Sequence, residues 1–177
     1  MSEVTKVALT ICQPYASLIA DGKKRVENRT WKPFSTLGDN FPIAIHAGVS
    51  RKWLDTHDGE MPSDMPFGAI VAVCRVIGVA LPYDALKWDA EHSSGPWCWL
   101  LDDVRKLDVP IPCKGAQGLW FLDKETAAKL GRFFPAPSDG AEAAKARGGI
   151  WFRLRMAGER IRLVWSRDLR RIVETKD

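Results

Sequence analysis

A short segment near the start of the chain, residues 13–31, combines side-chain types that can bind a phosphate, a sugar or a nucleobase. It holds two cations, one carboxylate and two aromatic rings, namely Tyr15, Lys24, Glu27, Arg29 and Trp31. A lysine meets a phosphate oxygen as a point charge, whereas an arginine offers a bidentate fork. Aromatic rings stack on bases in proteins that bind single strands. The segment therefore predicts a binding or catalytic cleft for a nucleotide-like ligand.

The elements around this segment must hold its side chains in place. Residues 7–12 are predicted to form a buried strand, and Pro14 stands where a first helical turn tolerates its missing N–H. Gly22 fits the left-handed position just past the end of that helix. Residues 23–29 should follow as a second strand.

Alternate residues of a strand face the same side, so Glu27 and Arg29 are predicted to lie together. Lys24 has the wrong parity to join them in a regular strand. It converges on Glu27 only if the chain twists as it leaves Gly22. A carboxylate between two cations should stay ionised, which favours an orienting role for Glu27.

Strands outnumber helices in the rest of the first 132 residues. They are predicted at 41–47, 68–81, 97–101, 109–113 and 119–122, with a bend of the second of these at Gly78. Pro110 and Pro112 should confine their strand to a sheet edge. Helices are predicted around Trp53 and at 124–130. The fold class that follows is mainly β with peripheral helices, arranged as one closed or nearly closed barrel.

The end of the chain is predicted to be a basic extension. Residues 1–144 hold 16 Lys and Arg against 18 Asp and Glu, whereas residues 145–177 hold 10 against 4. We expect one domain over 1–132, and a linker with a hairpin and a final helix (168–174) over 133–177, packed on the same domain. The hairpin carries a basic patch, consisting of Arg153, Arg155, Arg160 and Arg162. This patch either extends a nucleic-acid track or is a solvated basic surface.

Length and composition argue against membrane-spanning, secreted and metal-binding proteins. The 177 residues suffice for one sizeable core, and no apolar run is long enough to span a membrane. The first residues lack the features of a secretory signal. The four cysteines are far apart and form no CxxC pair, which predicts a reduced, cytoplasmic protein without a metal. No organic cofactor is predicted, and the oligomeric state stays undetermined.

The string QPYASLIADGKKRVENRTW at 13–31 resembles the signature of the ASCH (activating signal cointegrator homology) domain. Its GxKxxExR motif corresponds to Gly22, Lys24, Glu27 and Arg29, and IAIHA at 43–47 and the stretch 95–122 also resemble the family. The resemblance implies a β-barrel of the PUA-like superfamily with a cleft for RNA or a nucleotide. Some similar small proteins resemble hydrolases of N4-acetylcytidine that have a threonine where Glu27 stands, and others are described as ribonucleases.

Three further residues are candidate ligand contacts. His46 lies near the end of an apolar strand, where a structural histidine is the alternative. Lys114 and Gln117 lie in a turn from which they could reach a phosphate or a base edge. His57 and His92 show no partner spacing.

The sequence thus predicts nucleic-acid binding, with single-stranded RNA or a modified nucleotide as the ligand and DNA as an alternative. Tyr15 and Trp31 would stack on a base while Lys24 and Arg29 hold phosphate or sugar oxygens. Two other functions stay open. One is a metal-independent hydrolase of RNA or an acylated nucleoside, with Lys24 and Glu27 as acid and base. The other is a protein-interaction module of a transcription or ribosome-linked assembly.

Overall fold

The computed structural model describes residues 5–37, 40–59 and 61–131, together with the backbone of three strands within 150–175. Among the described residues up to 131, six strands alternate with short helices. The strands are β1 (Val7–Ile11), β2 (Val26–Arg29), β3 (Phe41–Ala47), β4 (Ala69–Ala80), β5 (Trp97–Pro112) and β6 (Leu119–Phe121). The α-helices are α1 (Tyr15–Ala20), α2 (Pro82–Ala85) and α3 (Lys124–Leu130).

The six strands form one sheet in the order β2-β5-β4-β3-β1-β6, which curls into a half barrel. β1 and β3 are parallel, because α1 and β2 lie between them in the chain, and the other neighbours are antiparallel. The prediction of a mainly β fold with peripheral helices is confirmed, and the sheet is a half barrel rather than the closed or nearly closed barrel that was expected. None of the helices in the described residues is long and apolar enough to cross a membrane.

Both faces of the sheet are covered by apolar side chains. On β1 and β3 the odd-numbered residues, such as Leu9 and Ile43, join a core that α1 covers with Ile19. The residues between them, Ala8 and Ala44, join a second core that α3 covers with Leu130. This period of two is what a strand buried on both faces requires, and it explains why β3 is buried throughout.

One long strand replaces two predicted ones. Residues 97–101 and 109–113 were expected to be separate, but β5 runs unbroken over 97–112 and pairs with β4 along its length. Register shifts in β4, one of them between Val76 and Gly78, bend the pair at the predicted glycine. β2 pairs only with residues 97–100. Pro110 and Pro112 therefore lie where β5 has a neighbour on one side, as their missing N–H groups predict.

The segment around Trp53 was predicted to be helical, and this is wrong. Residues 52–56 form turns, with a single backbone hydrogen bond from Leu54 N–H to the Arg51 carbonyl. The predicted helix at 124–130 is confirmed at the same residues. The Asp123 side chain accepts from Thr126 N–H and caps it, which is the usual role of an aspartate before a helix.

The chain divides into two compact units, residues 1–135 and residues 136–177. The second contains the antiparallel strands β7 (Ile150–Met156), β8 (Glu159–Ser166) and β9 (Arg171–Thr175), so the hairpin at 150–165 is present. The helix predicted at 168–174 is wrong. Ile172 and Val173 are β-branched, and the free edge of β8 gives them a strand to pair with.

The register of β7 and β8 places the residues of the basic patch opposite one another. Arg153 pairs with Arg162, and Arg155 pairs with Arg160. The orientation of these side chains lies outside the described residues. The packing of the extension on the first domain stays a prediction.

Candidate functional site

Three charged side chains of the opening segment, called here the ion-pair group, form a chain of ion pairs: Lys24, Glu27 and Arg29. Glu27 Oε2 lies 3.2 Å from Lys24 Nζ, and Glu27 Oε1 lies 3.0 Å from Arg29 Nη2. Lys24 is 3% exposed and Glu27 is 6% exposed. Lys24 also donates to the Val26 carbonyl. Glu27 and Arg29 lie on the same side of β2, as their spacing predicts, and Lys24, whose position the sequence left open, joins them.

A tight reversal after α1 brings Lys24 to Glu27. Gly22 adopts a φ of 73°, in the left-handed region that glycine reaches without a steric penalty. The backbone N–H groups of Lys23 and Lys24 both donate to the Leu18 carbonyl, at 2.9 and 3.0 Å. The chain therefore enters β2 only at Val26. Lys24 lies outside the strand, which removes the parity conflict that a strand from residue 23 would have imposed.

Arg29 connects β2 to the start of the chain. Its Nη2 donates to the Thr10 carbonyl of β1 at 3.0 Å as well as to Glu27. Its Nε is buried and has no hydrogen-bond partner among the described residues. One terminal nitrogen thus serves two acceptors, and the position of the guanidinium is fixed by both.

The ion-pair group borders a cleft of about 550 Å³. Two aromatic side chains, Tyr15 and Trp53, also line it. The Trp53 ring is 41% exposed, and Lys52 Nζ lies 4.9 Å from its centroid. Tyr15 packs edge-on against His57, with ring centroids 5.5 Å apart. The cleft therefore combines a buried charged group with two aromatic surfaces.

Trp31, the other predicted stacking residue, is not among the residues that line the cleft. Its ring packs edge-on against the fully buried Trp99, with centroids 4.9 Å apart, and its carbonyl accepts from Trp99 Nε1 at 3.2 Å. Trp31 is therefore partly buried and packs against the main core. Within the cleft the larger exposed aromatic surface belongs to Trp53.

A loop from a distant part of the chain completes the cleft, called here the 89–95 loop. Asn28 of β2 donates through Nδ2 to the His92 carbonyl at 2.6 Å, and its Oδ1 accepts from Ser94 and Gly95 N–H at 3.3 and 2.9 Å. A Cβ on Gly95 would lie 2.5 Å from Asn28 Cβ, so only glycine allows this approach. The contacts bring His92 and Ser94 to the cleft.

Asp89 and His92 form a buried pair in this loop. His92 Nδ1 lies 2.9 and 3.0 Å from the two carboxylate oxygens of Asp89. Asp89 also accepts from the backbone N–H groups of Arg25 and His92, at 2.7 and 3.1 Å. Burial alone would raise the pKa of Asp89, but the hydrogen bonds from Arg25 and His92 outweigh it and lower that pKa below its usual value. The carboxylate is therefore held ionised.

The other three predicted contacts lie away from the cleft. His46 is buried, with Nε2 3.1 Å from the Cys113 carbonyl and its ring edge-on to Trp120. Burial lowers the pKa of His46, and the bond to Cys113 opposes this in part. Lys114 and Gln117 are exposed in the turn that follows β5. None of the three lines the cleft.

The sequence interpretation missed Trp53, Asn28 and the Asp89–His92 pair. The spacing of the pair, three residues, matches that of Lys24 and Glu27 and was an available signal. Nothing local distinguishes Asn28 or Trp53, because their roles depend on contacts across the fold. Among the described residues, no group of three or more His, Cys, Asp or Glu side chains could hold a metal ion.

Every residue that lines the cleft lies within the part of the chain that a family model matches. The model of the ASCH domain matches residues 9–129. This chain belongs to the ASCH-domain family. Human activating signal cointegrator 1 is 26% identical over 132 residues, which are 66% of this chain and 22% of that protein. The chain thus spans about a fifth of the length of this relative.

Two solved structures of ASCH proteins are similar in fold to this chain. ASCH from Zymomonas mobilis is 17% identical with a TM-score of 0.48, covering 73% of this chain and 96% of that one. The S128A mutant of the Zymomonas mobilis protein is 18% identical with the same TM-score, covering 76% and 99%.

Proposed function

We propose that this ASCH-domain protein binds single-stranded RNA by taking one unstacked nucleotide into the cleft. One observation supports the proposal most directly. Tyr15, Trp53 and the ion-pair group line the same cleft, which has a volume of about 550 Å³. Pockets for small ligands range over about 300–1,000 Å³. Single-stranded RNA offers splayed bases that stack on aromatic rings and expose their hydrogen-bonding edges.

The charges of the cleft favour the base and the ribose over the phosphates. Lys24 and Arg29 already have the Glu27 carboxylate as a partner, and Glu91 adds a second carboxylate to the lining. The charges of two cations and two carboxylates sum to zero, whereas a surface that binds phosphates needs an excess of positive charge. We therefore assign Glu27, fixed by its two cations, as an acceptor for N–H groups on the edge of a base.

Trp53 is the stacking surface of this proposal. Trp53 lines the cleft and is partly exposed, so a base can cover it without displacing the core. Stacking on an aromatic residue contributes about 1–3 kcal/mol per base. Trp53→Ala should therefore raise the Kd for RNA by roughly 5- to 150-fold.

Fluorescence anisotropy with labelled RNA tests the proposal. Short single-stranded RNA, the matching DNA and both duplexes are titrated at two salt concentrations, with wild type, Trp53→Ala and Tyr83→Ala. Tyr83 is a suitable control because it is 82% exposed on α2 and does not line the cleft. We expect single-stranded RNA to bind most tightly, and only Trp53→Ala to weaken it. Absence of binding to any strand would contradict the proposal.

A double substitution of Lys24 and Arg29 by alanine is a poor first test. It leaves the Glu27 carboxylate, 6% exposed, without either of its cations. A buried charge that loses its partners destabilises the fold. Loss of binding in that variant would not separate a lost contact from a lost structure, so the exposed Trp53 is the better position.

A further inference from the structure

We propose that the cleft selects a guanine base in bound RNA, and that the ion-pair group recognises this base along one edge. This inference rests on the proposed function, because it names the base that the bound strand places in the cleft. It assigns Glu27 to the two adjacent N–H donors of guanine. It assigns Lys24 and Arg29 to the acceptors on either side of those donors. Three features support it.

The first feature is a carboxylate that is held at both ends but retains free lone pairs. Each oxygen of Glu27 has one cationic partner, Lys24 Nζ for Oε2 at 3.2 Å and Arg29 Nη2 for Oε1 at 3.0 Å. An ionised carboxylate has about four lone-pair sites on its two oxygens, so each oxygen can accept a further hydrogen bond. Glu27 lines the cleft, so a ligand there can contact it. The residue therefore presents two adjacent acceptors in a fixed orientation.

The second feature is a spare donor on each side of that carboxylate. Lys24 Nζ has three N–H groups, of which the Val26 carbonyl and Glu27 accept one each. The Thr10 carbonyl and Glu27 use both N–H groups of Arg29 Nη2, whereas Nη1 makes no hydrogen bond with the described residues. Lys24 and Arg29 also line the cleft. The ion-pair group therefore offers, in order, a donor, two acceptors and a donor.

The third feature is the match between this order and the edge of guanine. An unstacked guanine in a single strand presents, in sequence, the O6 acceptor, the N1–H and N2–H donors and the N3 acceptor. A carboxylate accepts two parallel N–H groups as a bidentate pair, which is a strong and directional contact. Lys24 then donates to O6, and Arg29 Nη1 donates to N3. The guanine edge is thus complementary to the ion-pair group at all four positions.

The other three bases lack a second adjacent donor. Adenine offers N6–H beside the N1 acceptor and so leaves one oxygen of Glu27 without a donor. Uracil has N3–H between two carbonyls, which would place a carbonyl oxygen against the carboxylate. Cytosine would need two neighbouring donors from Arg29, whose Nη2 is fully used and whose Nε is buried. A site built to bind hydrogen-bonding groups discriminates strongly against a ligand that lacks one.

The test compares labelled single strands of RNA that differ at one central nucleotide among uridines. That nucleotide carries guanine, adenine, cytosine, uracil or one of two guanine analogues, and fluorescence anisotropy gives each Kd at two salt concentrations. Hypoxanthine lacks the N2 amino group of guanine. 7-Deazaguanine keeps every group of the recognised edge and lacks only N7.

We expect the strands with guanine and 7-deazaguanine to bind most tightly and alike. Hypoxanthine should raise the Kd by roughly 10- to 150-fold, which corresponds to one lost hydrogen bond to a charged group. Adenine, cytosine and uracil should bind no better than hypoxanthine. The ratio of the Kd for hypoxanthine to the Kd for guanine should be the same at both salt concentrations, because the strands carry the same phosphates.

Glu27→Gln tests the carboxylate directly. The amide has one acceptor oxygen in place of two, so the advantage of guanine over hypoxanthine should be lost. Glu125→Gln is the matched control and should retain the wild-type ratio, because Glu125 is exposed, pairs with Lys129 and does not line the cleft. Thermal melts report whether each variant folds. If Glu27→Gln fails to fold, the series of strands decides the question, because it leaves the protein unchanged.

The outcomes separate the two proposals. Tight binding of every strand with equal Kd, or a preference for a base other than guanine, would overturn this inference alone. So would equal Kd values for guanine and hypoxanthine, or a loss of binding with 7-deazaguanine, because the base would then be recognised by another edge. A folded Glu27→Gln protein with the wild-type ratio would also refute the assignment. Absence of binding to every strand would overturn the proposed function, and this inference with it.

Discussion

Two charged groups border the same cleft, and the sequence predicts one of them and not the other. Lys24 and Glu27 are three residues apart, and so are Asp89 and His92. Both pairs are almost fully buried. The first is assembled by a turn within its own segment, whereas the second reaches the cleft because Asn28 binds the loop from more than 60 residues away. Spacing therefore identifies a pair, but topology decides whether it belongs to a site.

The chemistry of the two groups also differs. The ion-pair group joins two cations to one carboxylate. The Asp89–His92 pair joins one carboxylate to an imidazole ring. The two groups therefore present different chemistry to the same cleft. Four predictions test this division, beginning with the largest expected effect.

Removing Glu27 should cost the most stability. Glu27→Ala leaves the ammonium of Lys24, 3% exposed, without its carboxylate. Loss of one partner of a buried pair destabilises by about 3–5 kcal/mol. Urea denaturation measures the free energy of unfolding, and Glu125→Ala serves as the control. Glu125 pairs with Lys129 at an exposed position, where such a pair contributes about 0–1 kcal/mol. Equal losses in the two variants would contradict the structural role of Glu27.

Removing Asn28 should release the 89–95 loop. Asn28→Ala deletes the hydrogen bonds to His92, Ser94 and Gly95, each of which contributes about 0.5–1.5 kcal/mol. We expect the free energy of unfolding to fall by about 2–3 kcal/mol. Relative to wild type, amide hydrogen exchange should become faster in the loop and stay unchanged in β3. Gly95→Ala should disrupt the same contact, because the added Cβ would clash with Asn28. Unchanged exchange at 92–95 in both variants would mean that Asn28 does not hold the loop.

The sequence predicts those parts of the site that depend on neighbours along the chain. The left-handed Gly22, the end of α1 and the approach of Lys24 to Glu27 all follow from a few adjacent residues. Trp53 and the Asp89–His92 pair depend on which loops meet at the cleft, and no local pattern contains that information. The same limit explains Trp31, because nothing local to a tryptophan in a polar loop indicates that its ring will pack against Trp99.

The fold shows the same distinction. The apolar pattern of β3 and β4 and the cap of α3 are local, and their predicted bounds agree with the structure to within about one residue. The union of two predicted strands into β5 depends on its pairing with β4, which includes Asp102, Arg105 and Lys106 between them. The strand β9 likewise depends on the free edge of β8. In both cases the strand depends on a pairing partner that is distant in the sequence or not evident from it.

Substitution of Trp31 should lower stability and leave RNA binding unchanged, whereas substitution of Trp53 should do the reverse. Trp31→Ala removes a ring that packs on Trp99, so we expect a loss of about 1–3 kcal/mol in the free energy of unfolding. Its folded fraction should bind RNA as wild type does. Trp53→Ala should change the stability by less than about 0.5 kcal/mol and act on binding alone. Denaturation and anisotropy on the same preparations measure both, and a Trp31→Ala protein with weakened RNA binding at full folding would place Trp31 in the site.

Lowering the pH should remove the stabilisation that ionised Asp89 contributes to the fold, which is the smallest of the four expected effects. Its pKa in the folded protein is lowered, with burial opposing the shift and the hydrogen bonds from Arg25 and His92 producing it. A lowered folded pKa means that the unfolded chain takes up the proton first, at about 3.9. The stabilisation is therefore complete above that pH and is lost as pH falls through the folded pKa. Urea denaturation at pH 6, 4 and 3 should show wild type losing stability relative to Asp89→Asn, which has no proton to gain. Parallel curves for the two proteins would show that Asp89 is not held ionised by its loop.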